Sequence, residues 1–155
     1  MLNICLVEPE IPQNTGNIAR TCAATGSVLV LIHPLGFSLS EKAVRRSGMD
    51  YWKDVMLEEE PSFDAFMGKH ENDELFFFSA HGGKSLYDTA FPSDGDIYLV
   101  FGKESSGLGE AVLSQYGART LRIPMRDGAR CLNLSNSAAV ALYEVLRQRG
   151  FGEVI

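Results

Sequence analysis

Arg20 follows Asn14 and Asn17 at three-residue steps, behind the run Glu8-Pro9-Glu10-Ile11-Pro12-Gln13. The prolines hold that run extended, and Asn14 or Thr15 can cap a helix behind it. In such a helix the spacing puts Asn14, Asn17 and Arg20 toward one side. Two amides and a guanidinium there suit a polyanion such as an RNA backbone. A helix cap followed by one exposed arginine fits the same spacing. A second polar stretch reads Phe101-Gly102-Lys103-Glu104-Ser105-Ser106-Gly107-Leu108-Gly109. Its glycines permit tight turns and close backbone approach to a ligand. It is no phosphate-cradling P-loop, because Gly102-Lys103 is followed by Glu104, and its glycine spacing is not that of a dinucleotide fold. It also reads as a plain strand-to-helix turn.

A third stretch runs Ile123-Pro124-Met125-Arg126-Asp127-Gly128-Ala129-Arg130-Cys131-Leu132-Asn133-Leu134-Ser135-Asn136-Ser137. It reads as a strand end, a basic loop and a well-capped helix start, whose backbone donors suit a ligand. Cys131 raises the question of a nucleophile, but a small buried cysteine is the expected state. The histidines, His33, His70 and His81, have no ligand-like spacing, and no metal site is expected.

These stretches need elements to position them. Strands are predicted over Leu2–Val7, Val28–Ile32, Leu75–Ser79, Asp96–Phe101 and Thr120–Ile123, short apolar runs suited to buried parallel pairing. The spacing predicts a first helix from near Thr15, with Ile18 and Cys22 inward and Gly26 as its stop. A second is predicted over Ser40–Arg46. A third is opened by Pro61 with Phe63 and Phe66 buried, and a fourth follows Gly109 with Val112, Leu113 and Tyr116. The last spans Leu134–Arg149, with Leu134, Ala138, Ala141, Leu142 and Val145 on one apolar face. Strands alternating with helices imply an α/β fold with a mostly parallel sheet flanked by helices, in one domain over residues 1–155. All three polar stretches then lie beyond the carboxyl ends of strands, where such sheets bind ligands.

The chain of 155 residues is 45% hydrophobic and 22% charged, a globular composition. Leu2–Val7 is cut short by Glu8 and Pro9, so no signal peptide or membrane span is expected. Three cysteines without paired spacing point to a reducing cytoplasm. The net charge of −6, taken alone, argues against an RNA partner. Its distribution answers that: residues 54–110 hold 13 acids against 3 bases, whereas residues 111–155 hold 3 acids against 6 bases. A fold that joins the two ends of the chain gathers a local positive surface. Ordinary solvated charge explains the same counts.

Taken in order, Pro12-Gln13-Asn14-Thr15-Gly16-Asn17-Ile18-Ala19-Arg20, Phe101 to Leu108, and Ile123-Pro124-Met125 continuing to Leu132-Asn133-Leu134-Ser135-Asn136-Ser137 resemble the three motifs of the SPOUT (TrmH-type) RNA methyltransferases. Arg45-Arg46-Ser47-Gly48-Met49-Asp50-Tyr51 is similar to the subgroup that methylates the ribose 2′-hydroxyl of the wobble cytidine or uridine of tRNA. The resemblance implies a C-terminal trefoil knot, in which the chain after Ile123 threads a loop, and a homodimer packed through the knot region. It implies S-adenosylmethionine as cofactor, leaving S-adenosylhomocysteine, in a pocket including Phe78, Gly102, Ile123, Met125, Cys131 and Leu132. Phe78 and Cys131 depart from the family's smaller aliphatic and Ser-type residues. The alternatives are a family member acting on another ribose or base, or a catalytically idle RNA-binding protein.

The implied chemistry is an in-line displacement at a sulfonium methyl, in which the protein holds the 2′-oxygen and eases loss of its proton. The resemblance gives Arg20 the central role. Because a guanidinium is a poor base, its expected task is to grip phosphate or hydroxyl and stabilise developing negative charge. Glu104, with Asn136 or Ser137, is expected to orient the ribose or Arg20. Asn14 and Asn17 are expected to shape the RNA side of the site, and Arg45, Arg46 and Arg126 to contact phosphates. The homodimer, tRNA as partner and the absence of membrane and metal complete the expectation.

Overall fold

The computed structural model of the chain describes residues 1–40 and 52–152. Among them, seven strands form one sheet: β1 (Leu2–Val7), β2 (Val28–Ile32), β3 (Met56–Glu60), β4 (Glu74–Phe78), β5 (Lys84–Ser85), β6 (Ile97–Phe101) and β7 (Thr120–Arg122). Their order is β3-β2-β1-β6-β4-β7-β5 and every pairing is parallel. β1 and β2 occupy the predicted spans, β4 is shifted one residue toward the N-terminus, and β6 and β7 are each one residue shorter at one end. β3 and β5 are not among the predicted strands. β3 carries Glu58, Glu59 and Glu60 at the sheet edge, with Glu58 and Glu59 exposed, so it lacks the apolar pattern of a buried strand. β5 is only two residues long.

The helices are α1 (Pro12–Thr25), α2 (Phe63–Lys69), α3 (Glu110–Gln115) and α4 (Leu134–Gln148). α1 begins three residues before Thr15, because a proline's fixed φ suits the first helical turn. Neither Asn14 nor Thr15 caps it: the cap position is Ile11, which offers no side-chain acceptor. α2 is opened by Ser62, whose hydroxyl accepts from the Ala65 N–H at 3.1 Å, and Pro61 lies outside the helix. Asn133 caps α4, its Oδ1 accepting from the Ser135 N–H at 2.8 Å. The helix predicted over Ser40–Arg46 lies outside the described residues, apart from Ser40 itself.

Alternate residues of the strands feed two apolar layers. Ile4, Leu6, Leu29, Leu31, Leu99 and Phe101 pack with Ile18 and Cys22 of α1 and Ala138, Ala141, Leu142 and Val145 of α4. On the other face, Cys5, Val30, Phe77 and Val100 pack with Phe66 of α2, while Val112 of α3 and the following Tyr116 lie against them. Near-complete burial of β1, β2 and β6 on both faces explains their unbroken apolar runs. The contact of α1 with α4 brings the early and late parts of the chain together. No described helix is long and apolar enough to cross a membrane.

β7 inserts between β4 and β5, which are consecutive in the chain. The connection 79–83 therefore lies against β7. A Cβ on Gly82 would sit 2.5 Å from the Leu121 carbonyl carbon, so backbone meets backbone there. The carboxyl end of α4 holds the segment leading into β6. Gln148 accepts from the Phe91 N–H at 3.0 Å and donates to the Thr89 carbonyl at 2.9 Å, while Arg149 donates to the carbonyls of Pro92, Asp94 and Gly95.

Glu144 orients this end, accepting from Arg147 at 2.8 and 2.9 Å and from Gln148 at 2.8 Å. The Arg147 hydrogen bonds, aided by Gln148, outweigh the opposing effect of burial and hold its carboxyl down at about 2, from an ordinary 4.5. A depressed carboxylate stabilises the fold above its unfolded pKa and loses that contribution as pH falls through its folded value. Glu144→Gln is therefore expected to be less stable than wild type by a constant margin at neutral pH. The margin should shrink between pH 4.5 and about 2, as read from urea midpoints against pH. A margin that does not change across that window would count against the assignment.

Candidate active site

The order of the sheet reverses at β1 and β6, and the loops after them occupy the crevice that such a reversal opens. The loop after β7 joins them. Between the carboxyl ends of β4, β6 and β7 is a cavity of about 640 Å³, a size suited to a small-molecule ligand. Phe78, Gly102, Ile123, Met125, Cys131 and Leu132, the six residues expected at a cofactor, all line it. Asn14, Glu104 and Ser137 line it too. Asn17, Arg20, Asn136 and Arg126 are exposed and do not line it, and Arg45 and Arg46 lie outside the described residues.

Local bonding shapes the loop after β6. Lys103 and Gly107 exchange backbone hydrogen bonds of 3.1 and 2.9 Å, folding the loop back on itself. A Cβ on Gly102 would fall 2.1 Å from the Gly107 carbonyl carbon, so only glycine fits the return. Phe78 stacks on Phe101, with centroids 4.6 Å apart and planes 14° from parallel, and both rings line the cavity. The aromatic residue at position 78 thus forms part of an apolar wall.

Glu104 faces the loop after β1. Its carboxylate accepts from the Glu10 N–H at 2.8 Å, the Ile11 N–H at 3.1 Å and Asn14 Nδ2 at 3.1 Å. It supplies from another loop the acceptors that the start of α1 lacks. Asn14 is buried, and its Oδ1 accepts from Asn133 Nδ2 at 2.9 Å. This departs from the expectation that Asn14 shares an RNA-facing side with Asn17 and Arg20. Three-residue steps drift around a helix, and here the first of the three turns inward. The loops are also clasped in reverse. The Glu10 carboxylate accepts from the Ser105 N–H and hydroxyl, both at 2.9 Å, and these bonds, the hydroxyl's foremost, pull its pKa down. Lys103 pairs with Glu8 at 2.5 Å, and that hydrogen bond raises the ammonium pKa.

Sequence reasoning missed Glu10, Ser105 and Asn133 as organisers of the site. Only Asn133 left a signal, as a preferred helix-capping residue before an apolar run. Cys131 is exposed, against the expectation of burial. Residues 126–133 form an irregular loop over the surface, every one of them exposed, and among the described residues no element packs over it to enclose the thiol. Among the described residues, no three His, Cys, Asp or Glu side chains gather as metal ligands.

An apolar-walled cavity at the carboxyl ends of a parallel sheet, with glycine-tight loops and exposed basic residues beside it, is a ligand-binding site of the kind that α/β folds build. The chain belongs to the SpoU rRNA methylase family, whose model matches residues 1–143. A protein of Geobacillus stearothermophilus is 46% identical over 152 residues, spanning 97% of this chain and 96% of that one. A Burkholderia pseudomallei protein named tRNA (cytidine(34)-2′-O)-methyltransferase is 44% identical over 155 residues, with 97% of each chain covered. A solved structure described as giving insights into 2′-OH methylation of C/U34 on tRNA matches with a TM-score of 0.88 and 48% identity, covering 96% of this chain and 95% of that one. The methyltransferase AviRb of Streptomyces viridochromogenes, solved in complex with AdoMet, matches with a TM-score of 0.82 at 28% identity, over 96% of this chain and 58% of its own.

Asn14→Ala removes one partner from Glu104 and one from Asn133 together. Because a buried polar group left unpaired costs about 1–3 kcal/mol, the substitution is expected to destabilise the fold by that order. A double-mutant cycle with Glu104→Ala in urea should show strong coupling between the two positions. Additive effects would mean that the contact carries no energy.

Proposed function

We propose that this protein transfers the methyl group of S-adenosylmethionine to the ribose 2′-hydroxyl of the wobble nucleotide, cytidine or uridine, of tRNA, working as a homodimer in the cytoplasm. The observation that carries the reading is the joining of the three family motifs around one cavity, at the point where strand order reverses. The full-length relatives named for that activity support the choice of substrate. The residues present fit the cofactor: an apolar wall of Phe78, Phe101 and Ile123 and the narrow backbone turn at Gly102 suit a nucleoside, and the cavity has room for it. When bound, that cofactor supplies an electrophilic sulfonium methyl.

The chain's own groups divide the remaining work. Gly102, Ile123, Met125, Cys131 and Leu132 hold the cofactor, largely through backbone. Glu104 fixes the start of α1, and with Asn14 and Asn133 it sets where that helix projects; this is a positioning role rather than proton transfer. Arg20, two turns on, grips the phosphate or 2′-hydroxyl of the target nucleotide and stabilises charge as it develops on the oxygen. Asn136, Ser137 and Asn17 orient the ribose, and Arg45, Arg46 and Arg126 contact neighbouring phosphates. The passage of β7 between β4 and β5, with the connection 79–83 against it, accords with the family's trefoil knot.

Arg20 and Asn17 do not line the cavity of their own chain, which fits a site completed between two copies. Tyr143, 46% exposed on α4, offers an aromatic surface for that contact. The protein is expected to sediment as a dimer at micromolar concentration, and substitutions that break the dimer should abolish methyl transfer. A stable, active monomer would sink this part of the reading.

Mass spectrometry of nucleosides from tRNA incubated with protein and S-adenosylmethionine should show a 2′-O-methylated cytidine or uridine at the wobble position. Tight RNA binding without any new methyl group would mark an idle RNA-binding protein instead. Arg20→Ala is expected to lower single-turnover transfer by roughly 100-fold or more, since a preorganised transition-state charge is worth about 3–4 kcal/mol. Loss of a surface ion pair would cost under about 1 kcal/mol and leave turnover nearly intact. Arg20→Lys, which keeps the charge and loses the planar fork, should also be strongly impaired. Near wild-type rates in both variants would remove Arg20 from the chemistry.

A further inference from the structure

Two walls of the cavity come from segments far apart in the chain. Ser79, Ala80 and His81 form part of one, and Ile123 and Met125 part of the other. The residue just before Ile123 joins them. Arg122 ends β7, and its Nη1 donates to the carbonyls of Gly82 at 3.1 Å and Gly83 at 3.2 Å. The other bonds around the connection 79–83 are local or backbone bonds. The Ser79 N–H donates to the Leu121 carbonyl at 3.0 Å and the Gly82 N–H to the Ser79 carbonyl at 3.1 Å, while the His81 N–H donates to the Ser79 hydroxyl at 3.2 Å. The ladder beyond is short, with Lys84 opposite Leu121 and Ser85 opposite Arg122.

This connection carries two adjacent glycines and is anchored by a two-residue strand, so its backbone has much freedom to lose. A single guanidinium nitrogen, Nη1, donating to two successive carbonyls removes that freedom at one point. The same guanidinium sits one residue from the opposite wall, so fixing the connection also fixes the width of the cavity.

We propose that Arg122 is a positioning residue for the cofactor, clamping the connection 79–83 against the segment that begins at Ile123 so that the cavity is formed before the cofactor arrives. The inference rests on the reading of this cavity as the S-adenosylmethionine pocket and adds a residue outside its lining. Arg122 acts through the backbone of Gly82 and Gly83. Its loss therefore weakens the cofactor complex through the ordering that the ligand must then impose on the loop.

The test is calorimetry of S-adenosylhomocysteine binding to the full chain, with hydrogen exchange of the free protein. Arg122→Ala is expected to weaken binding by about tenfold or more, the factor that one lost charge-assisted hydrogen bond carries. Amides of residues 79–84 should exchange faster while those of β1 and β6 keep their protection, which separates a loosened wall from a failed fold. Arg122→Lys, which retains a donor within reach of the same carbonyls, should recover part of the affinity. Unchanged ligand affinity in Arg122→Ala would overturn the proposal, and weakened RNA binding with unchanged ligand affinity would reassign Arg122 to the nucleic acid. Loss of protection throughout Arg122→Ala, with Arg122→Lys showing no recovery, would also overturn it in favour of a general structural role. Failure of the wild-type protein to bind S-adenosylhomocysteine would overturn the cofactor reading itself, and the clamp with it.

Discussion

The carboxylate of Glu104 accepts N–H donors from Glu10, Ile11 and Asn14, the first of them 94 residues away in the chain. Helix α1 has no capping side chain of its own, so the donors around its start are met from the loop after β6. Asn14 passes the restraint on to Asn133, and Asn133 in turn caps α4. Two helices and three loops thereby share one set of hydrogen bonds. Glu10 and Ser105 return the same kind of bond in the opposite direction, so neither loop can shift without breaking contacts on both. Such bonds are modest in net worth when made and expensive when one partner is left buried alone. The arrangement therefore acts more as a constraint on geometry than as a reservoir of stability.

The sheet explains why these loops meet at all. Every described pairing is parallel, so the carboxyl ends of the strands gather at one edge, and the reversal of order at β1 and β6 opens space between their loops. The same geometry distributes the charge of an acidic chain unevenly. Glu8, Glu10 and Glu104 are directed at an ammonium, a hydroxyl or N–H groups of the site's own loops, while Glu110 lines the cavity with its side chain exposed. Glu58 and Glu59 are exposed on β3, at the far edge of the sheet. Arg126 and Arg130 stand exposed on the loop after β7. Net charge is a property of the whole chain, whereas an approaching phosphate meets the local field.

The two residues that the resemblance marks as departures have different structural settings. Phe78 stacks on Phe101, so a larger side chain is accommodated by packing rather than by displacement. Cys131 is exposed in an irregular loop and lines the cavity without a packed shell around it, so its side chain is only loosely constrained.

The α/β class, the predicted strands and the apolar faces of α1 and α4 were legible in the sequence, because periodicity and punctuation by Gly, Pro and Ser act over neighbouring residues. The three polar loops were legible as loops, and their family resemblance placed six residues that do line the cavity. β3 and β5 were not legible: an acidic edge strand and a two-residue strand carry no periodic signal, and only pairing with β2 and β7 defines them. Nor could spacing reveal that Asn14 turns inward while Asn17 and Arg20 stay exposed, that Glu104 caps a helix from another loop, or that Arg122 spans the glycines of the connection 79–83. Local sequence determines which backbone shapes and buried faces are cheap. Which polar groups meet across tens of residues is decided only when the parallel sheet brings its loops together, because a hydrogen bond depends on distance in space and not on separation along the chain.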